Sequence, residues 1–163
     1  MEMFQLVDAN GKPAGSAGRD ECHGNPALVH LVVHLHVLDP AGRLYLQKRA
    51  LSKDTNPGKW DAAVGGHVMA GESVEHALLR EAGEELGIDA SGARRIYDLL
   101  YRSLFESEYA ACFLIVHGGE IHPNSEEIEE GRFFTMEEIQ GLMGKGVLTP
   151  MFEKEFPMLR QRL

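Results

Sequence analysis

The stretch from Gly65 to Ile88, GGHVMAGESVEHALLREAGEELGI, puts Glu81, Glu84 and Glu85 on one short run directly behind a glycine-rich loop. At roughly 100° per residue, Leu78, Ala82 and Leu86 make an apolar stripe. Ser73 stands where a helix starts, and Gly87 where a left-handed residue stops one. A helix over about Ser73–Leu86 is therefore expected. The glutamates lie beside the stripe at i, i+3 and i+4, so their side chains converge, and like charges at that spacing cost roughly a few tenths of a kcal/mol per pair. Only Arg80 is near enough to offset them. A hard divalent cation, Mg²⁺ or Mn²⁺, would relieve the conflict, because it prefers oxygen ligands and commonly joins carboxylates to substrate phosphates. Arg80 could orient one carboxylate through a bidentate contact. Taken alone, the helix is also compatible with a solvated acidic face.

Upstream, the residues from Ala27 to Leu38 alternate: Val29, Leu31, Val33, Leu35 and Val37 point one way, His30, Val32, His34, His36 and Leu38 the other. That period describes a strand with an apolar back and a histidine-bearing front. MFQLVD reads as a strand followed by a turn at Asn10-Gly11. DPAG turns the chain into a further strand, RLYLQKR, and ALSKDTNPGK is a loop before WDAAVGGHV resumes extended structure. Downstream, RRIYDLLYRSLF and EYAACFLIVHG are strand-like, and GRFF is a short strand after a polar loop. Thr135 with Glu138 forms a capping box for a helix in TMEEIQGLM. A last helix is expected within TPMFEKEFPMLRQRL, interrupted or ended near Pro157. The βαβα alternation of a doubly wound sheet is missing, so the fold class is α+β, a mixed sheet flanked by helices.

The 163 residues suit one domain, residues 1–163, with a single sizeable core. A net charge of −9 argues against nucleic acid or an anionic membrane surface as partner, and an acidic chain that handles anionic substrates needs bridging cations. Cys22 and Cys112 are too few for a disulfide framework, and no CxxC pair suggests a cysteine-bound zinc. ALVHLVVHLHVL is too short and histidine-rich to span a bilayer, and MEMFQLVDANGK has no signal-peptide pattern. A reduced cytoplasm is the expected location.

The segment resembles the Nudix box: a glycine, five residues, a glutamate, seven residues, then Arg-Glu-apolar-x-Glu-Glu-x-Gly-apolar. Here these are Gly66, Glu72, Arg80, Glu81, Ala82, Glu84, Glu85, Gly87 and Ile88. At average usage the fixed residues would coincide about once in a million trials, so the match is specific. The resemblance implies an α/β/α sandwich and metal-dependent attack of water on a small-molecule diphosphate, typically a nucleoside diphosphate linked to another group. It implies that Glu81, Glu84 and Glu85 hold Mg²⁺ or Mn²⁺ with a backbone oxygen of Gly65, that Arg80 orients Glu81, and that Glu72 supports the loop–helix geometry. Glu81, or Glu126, Glu127 or Glu129 of NSEEIEE, is the candidate base, with Glu127 taken as the loop choice. A homodimer is the assembly such domains most often form.

Outside the box the chain is similar to the isopentenyl-diphosphate isomerases, which use the same fold for an allylic proton shift. The matching positions, His23, His30, His67, Glu106 and Glu108, make a candidate second metal site, with imidazole favouring Zn²⁺ or Mn²⁺. The isomerases' catalytic cysteine falls at Gly65, and their box is degraded where this one is complete. Both departures favour a hydrolase. The alternatives are an isomerase with a displaced acid or base and a non-catalytic module that senses a nucleotide. His34 and His36 are read as polar residues on the covered sheet face, and Trp60 as a core residue. Tyr101, Phe105 and Tyr109 are candidates to border a pocket, and Lys48, Arg49, Lys53 and Lys59 to meet phosphates.

Overall fold

The alternating histidine segment becomes the strand around which the sheet is built. The computed structural model describes residues 2–163, so Met1 of the expected domain lies outside the described residues. In chain order the elements are β1 (Met3–Val7), β2 (Pro13–Gly18), α1 (Arg19–Cys22), β3 (Val29–Leu38), β4 (Leu44–Arg49), β5 (Trp60–Ala62), β6 (Val64–His67), α2 (Val74–Leu86), β7 (Arg94–Arg102), β8 (Ser107–Val116), β9 (Ile128–Phe134), α3 (Met136–Leu142) and α4 (Pro150–Arg160).

β3 runs parallel to β8 along its whole length, from Val29↔Ser107 to Leu38↔Val116. It is antiparallel to β6, which it meets at Val32↔His67, Val33↔Gly66, His34↔Gly65 and Leu35↔Val64. β4 touches β3 only at Leu38↔Leu44 and continues away to pair with β5 and β9.

Helices cover both faces, which makes the sheet the middle of three layers. Val33, Leu35 and Val37 pack with Ala77, Leu78, Ala82 and Leu86 of α2. On the other face Val32, Ala110 and Leu114 meet Ile139 of α3 and Phe152, Phe156 and Leu159 of α4. The histidine-bearing front is thus as buried as the apolar back: His30 and His36 have no exposed surface, and His34 has 6%.

The ends of α2 are made as the sequence expects. The Ser73 side chain accepts from His76 N, and Gly87 adopts φ 64°, its N–H reaching the carbonyls of Ala82 and Gly83. The Thr135–Glu138 capping box forms at α3. Three readings need correction. PAGSAG was left out of the strands yet forms β2, an edge strand whose small residues are mostly exposed and so carry no apolar period. β9 begins at Ile128, earlier than GRFF, because Ile128 is buried in the core. α4 continues through Pro157. Pro157 lies on the exposed face, where water can take up the Glu153 carbonyl that loses its N–H partner.

Candidate active site

Hydrogen bonds brace the loop of the box against its helix. Arg80 of α2 donates Nε to Glu72 Oε2 at 2.8 Å and Nη2 to Glu72 Oε1 at 2.9 Å, and Nη2 also donates to the His67 carbonyl at 3.0 Å. Its Nη1 donates to Glu81 Oε1 at 2.8 Å. Glu72 in turn accepts from Met69 N at 3.0 Å and pairs with His76 Nδ1 at 2.6 Å. The Arg80 hydrogen bonds hold the Glu72 carboxyl down at about 2, so Glu72 is a permanently ionised brace between loop and helix.

Gly66 explains the glycine requirement of the loop. A Cβ there would fall 2.1 Å from Glu81 Cδ and 2.5 Å from Glu81 Oε2, so only glycine lets the Glu81 carboxylate lie against the strand. Glu85 is buried behind it, with 4% exposure, and accepts from Gln47 Nε2 at 2.8 Å. Its Oε2 has no partner. Burial, then the Glu81 charge, raises the Glu85 pKa well above the carboxylate range, and burial raises Glu81 against the pull of Arg80. A buried carboxylate with an orphaned oxygen beside a partly buried one suits a divalent cation, which would replace mutual repulsion with coordination.

A cavity of about 530 Å³ opens over this corner. Gly65, Gly66, Arg80, Glu81 and Glu84 line it, while Glu85, Glu72 and Gly87 are not in its lining. Of the three loop glutamates, only Glu127 reaches it. Its loop is tied to the end of α2, where His122 N and Asn124 N donate to the Leu86 and Glu85 carbonyls, both at 2.8 Å, and Glu127 N donates to Asn124 O at 3.0 Å. The helix's unsatisfied C-terminal carbonyls thereby place the carboxylate.

The second cluster closes the other end of the same cavity. Parallel pairing sets His30 opposite Glu108. His30 Nε2 lies 3.5 Å from Glu106 Oε2 and 3.6 Å from Glu108 Oε2, and His23 Nε2 is 3.1 Å from Glu106 Oε2. The nitrogens of His23, His30 and His67 also fall within 4.8 Å of one another. Phe4 stacks on His67 with ring centroids 4.0 Å apart. Burial drops His67 to about 3 and keeps it neutral, as a ligand must be; burial and then the Glu108 charge lift Glu106 to about 7. Both ring nitrogens of His30, and Glu106 Oε2, are buried without hydrogen-bond partners. These orphaned donors fit a metal of intermediate softness.

Arg49, Lys53, Tyr101 and Phe105 line the cavity; Lys48, Lys59 and Tyr109 do not. Tyr109 instead donates to Asp98 at 2.7 Å, and Trp60 packs edge-on against Phe134. Neither cysteine lines the cavity. The sequence reading missed Arg19, Asp54, Asp61 and His34, all in the lining. His34 had a visible signal, its place on the same strand face as His30. Asp61 and Asp54 had none, because they come from loop and edge residues without a period.

A carboxylate-bearing helix behind a glycine loop, on a mixed sheet covered by helices, defines a class of α/β/α sandwich proteins. The NUDIX domain model matches residues 29–158, and the chain belongs to that family. It is 31% identical to an uncharacterised Nudix hydrolase of Listeria monocytogenes, covering 93% of this chain and 90% of the relative. It is 28% identical to an isopentenyl-diphosphate Δ-isomerase of Mycolicibacterium vanbaalenii, covering 97% and 91%. Among solved structures, a Deinococcus radiodurans protein superposes with a TM-score of 0.83 at 23% identity, over 96% of this chain and 98% of the other. The Nudix domain of a Shewanella oneidensis protein complexed with ADP-ribose superposes with a TM-score of 0.68 at 13% identity, over 90% and 93%. No helix among the described residues is long and apolar enough to cross a membrane.

Proposed function

We propose that the protein hydrolyses a diphosphate linkage in a small nucleoside-diphosphate-type substrate, with Mg²⁺ or Mn²⁺ held on α2. The observation that carries this reading is the Glu81–Glu85 pair, in which Glu85 is buried with an orphaned oxygen and Glu81 is seated where Gly66 lacks a Cβ. Glu81, Glu84 and Glu85, with the Gly65 backbone oxygen, would hold the ion. When bound, such an ion neutralises a diphosphate and lowers the pKa of water. Arg80 keeps one Glu81 oxygen occupied and so fixes the direction of the other. Glu127, or Glu81, takes the proton of the attacking water, and Arg49 and Lys53 offer cations to the phosphates from the cavity lining. The His23, His30, His67, Glu106 and Glu108 cluster would hold a second ion, Zn²⁺ or Mn²⁺.

That cluster is also what favours the second reading, an isopentenyl-diphosphate isomerase. Gly65 at the cysteine position, and the absence of either cysteine from the cavity, weigh against it. The test is a panel of nucleotide and prenyl diphosphates with Mg²⁺ or Mn²⁺ in heavy water, following phosphate release and deuterium uptake in the same tubes. Metal-dependent cleavage is expected. Deuterium uptake into isopentenyl diphosphate without cleavage would replace the hydrolase by the isomerase. Tight binding of ADP-ribose with no turnover of any compound would replace it by a sensor.

A further inference from the structure

Between β3 and α4 lies a polar group that neither proposed metal site uses. Glu155 of α4 is fully buried, yet no lysine or arginine pairs with it. Its Oε2 meets His34 Nδ1 at 2.6 Å. Its Oε1 meets His36 Nε2 and the Tyr97 hydroxyl, both at 2.9 Å, and the Cys112 thiol at 3.2 Å. A buried carboxylate needs a compensating charge, and the imidazoles of His34 and His36 lie within hydrogen-bond reach to carry it.

The two histidines are not equivalent. His36 is sealed, with Nδ1 unpartnered in the interior. His34 lines the cavity. Its ring edge faces Gly65, where a Cβ would sit 3.5 Å from Cδ2 and 3.7 Å from Nε2, so the missing side chain leaves that edge open. Nε2 has no protein partner among the described residues and is not sealed from the cavity.

We propose that His34 is a substrate-binding residue, donating Nε2–H to an anionic phosphoryl oxygen of the diphosphate in the cavity, and that Glu155 is its positioning residue. The inference takes from the proposed function only that the cavity receives a diphosphate. It explains why a carboxylate is buried on α4: Glu155 holds Nδ1 and so fixes the ring's rotation, which leaves Nε2 presented to the cavity.

The test uses methylenediphosphonate, which cannot be hydrolysed, with Mg²⁺ and the full-length protein. Histidine ring ¹⁵N spectra, with the His34 signals assigned by their loss in His34→Phe, should show a shift at His34 Nε2 on addition of the diphosphonate. Calorimetry should show about tenfold weaker binding for His34→Phe, the size expected when a charge-assisted hydrogen bond is removed. Glu155→Gln, which keeps the side-chain shape, should weaken binding severalfold and shrink the Nε2 response. Unchanged affinity in His34→Phe, or no Nε2 response in the wild-type protein, would overturn the proposal even if His34→Phe folds poorly. An unchanged Nε2 response in Glu155→Gln would remove Glu155 from it. Failure of the wild-type protein to bind the diphosphonate would overturn it as well. Cleavage of a panel substrate together with a silent His34 would leave the hydrolase standing and remove only this residue's role.

Discussion

Gly66 and Glu85 show how small a change the site tolerates. In Gly66→Ala the new methyl group meets the Glu81 carboxylate well inside contact distance, so Glu81 must swing out. Divalent-ion affinity should fall about tenfold or more while the fold persists, as read by Mn²⁺ binding in electron paramagnetic resonance. An unchanged Mn²⁺ affinity would mean that Glu81 is not a ligand. Glu85→Gln tests the other half of the pair. It keeps the shape beside Gln47 but removes a buried charge that the Glu81 carboxylate repels. Turnover should drop by about a hundredfold or more, while the metal-free protein unfolds at the same or a higher urea concentration. Full activity in this variant would sink the metal assignment.

At the level of elements, α4 is fastened to the sheet by two means, the apolar Phe152, Phe156 and Leu159 and the buried Glu155. Glu155→Ala leaves His34, His36 and Tyr97 facing a gap, and should cost about 3–5 kcal/mol in urea unfolding. The pH dependence has a definite sign. His34 is raised from 6.5 to about 9 in the folded chain, so its share of stability is full below pH 6.5 and is lost as pH rises through about 9. Glu155 is held well below 4.5, because the histidine charges outweigh its burial; its share is present above that value and lost as pH falls through its lowered pKa. The urea midpoint should therefore decline between pH 6.5 and 9, and the decline should be absent in His34→Phe. α2 carries its own information more locally, since Ser73, the Leu78–Ala82–Leu86 stripe and Gly87 lie within its own segment.

For the whole molecule, an ion that binds only the folded chain should raise its stability by mass action, by about 2.7 kcal/mol at a hundred times its dissociation constant. Added Mg²⁺ should raise the thermal midpoint of the wild-type protein, and the increment should vanish in Glu85→Gln; a scanning fluorimetry titration reads both. A rise of equal size in the variant would place the ion elsewhere. By itself the sequence determined what depends on near neighbours: α2 with its caps, the convergence of Glu81, Glu84 and Glu85, the two-residue alternation of β3, and the family. It did not reveal β2, whose small exposed residues carry no period, nor the passage of α4 through Pro157, which depends on that residue facing water. Tertiary structure alone decided which of the three loop glutamates reaches the cavity, that Asp61 and Arg19 join it, and that His34 is held by Glu155 from 121 residues away. The reason is physical: caps, stripes and like-charge spacing act within a few residues, whereas burial, cavity shape and the pairing of distant charges exist only once the sheet has brought those segments together.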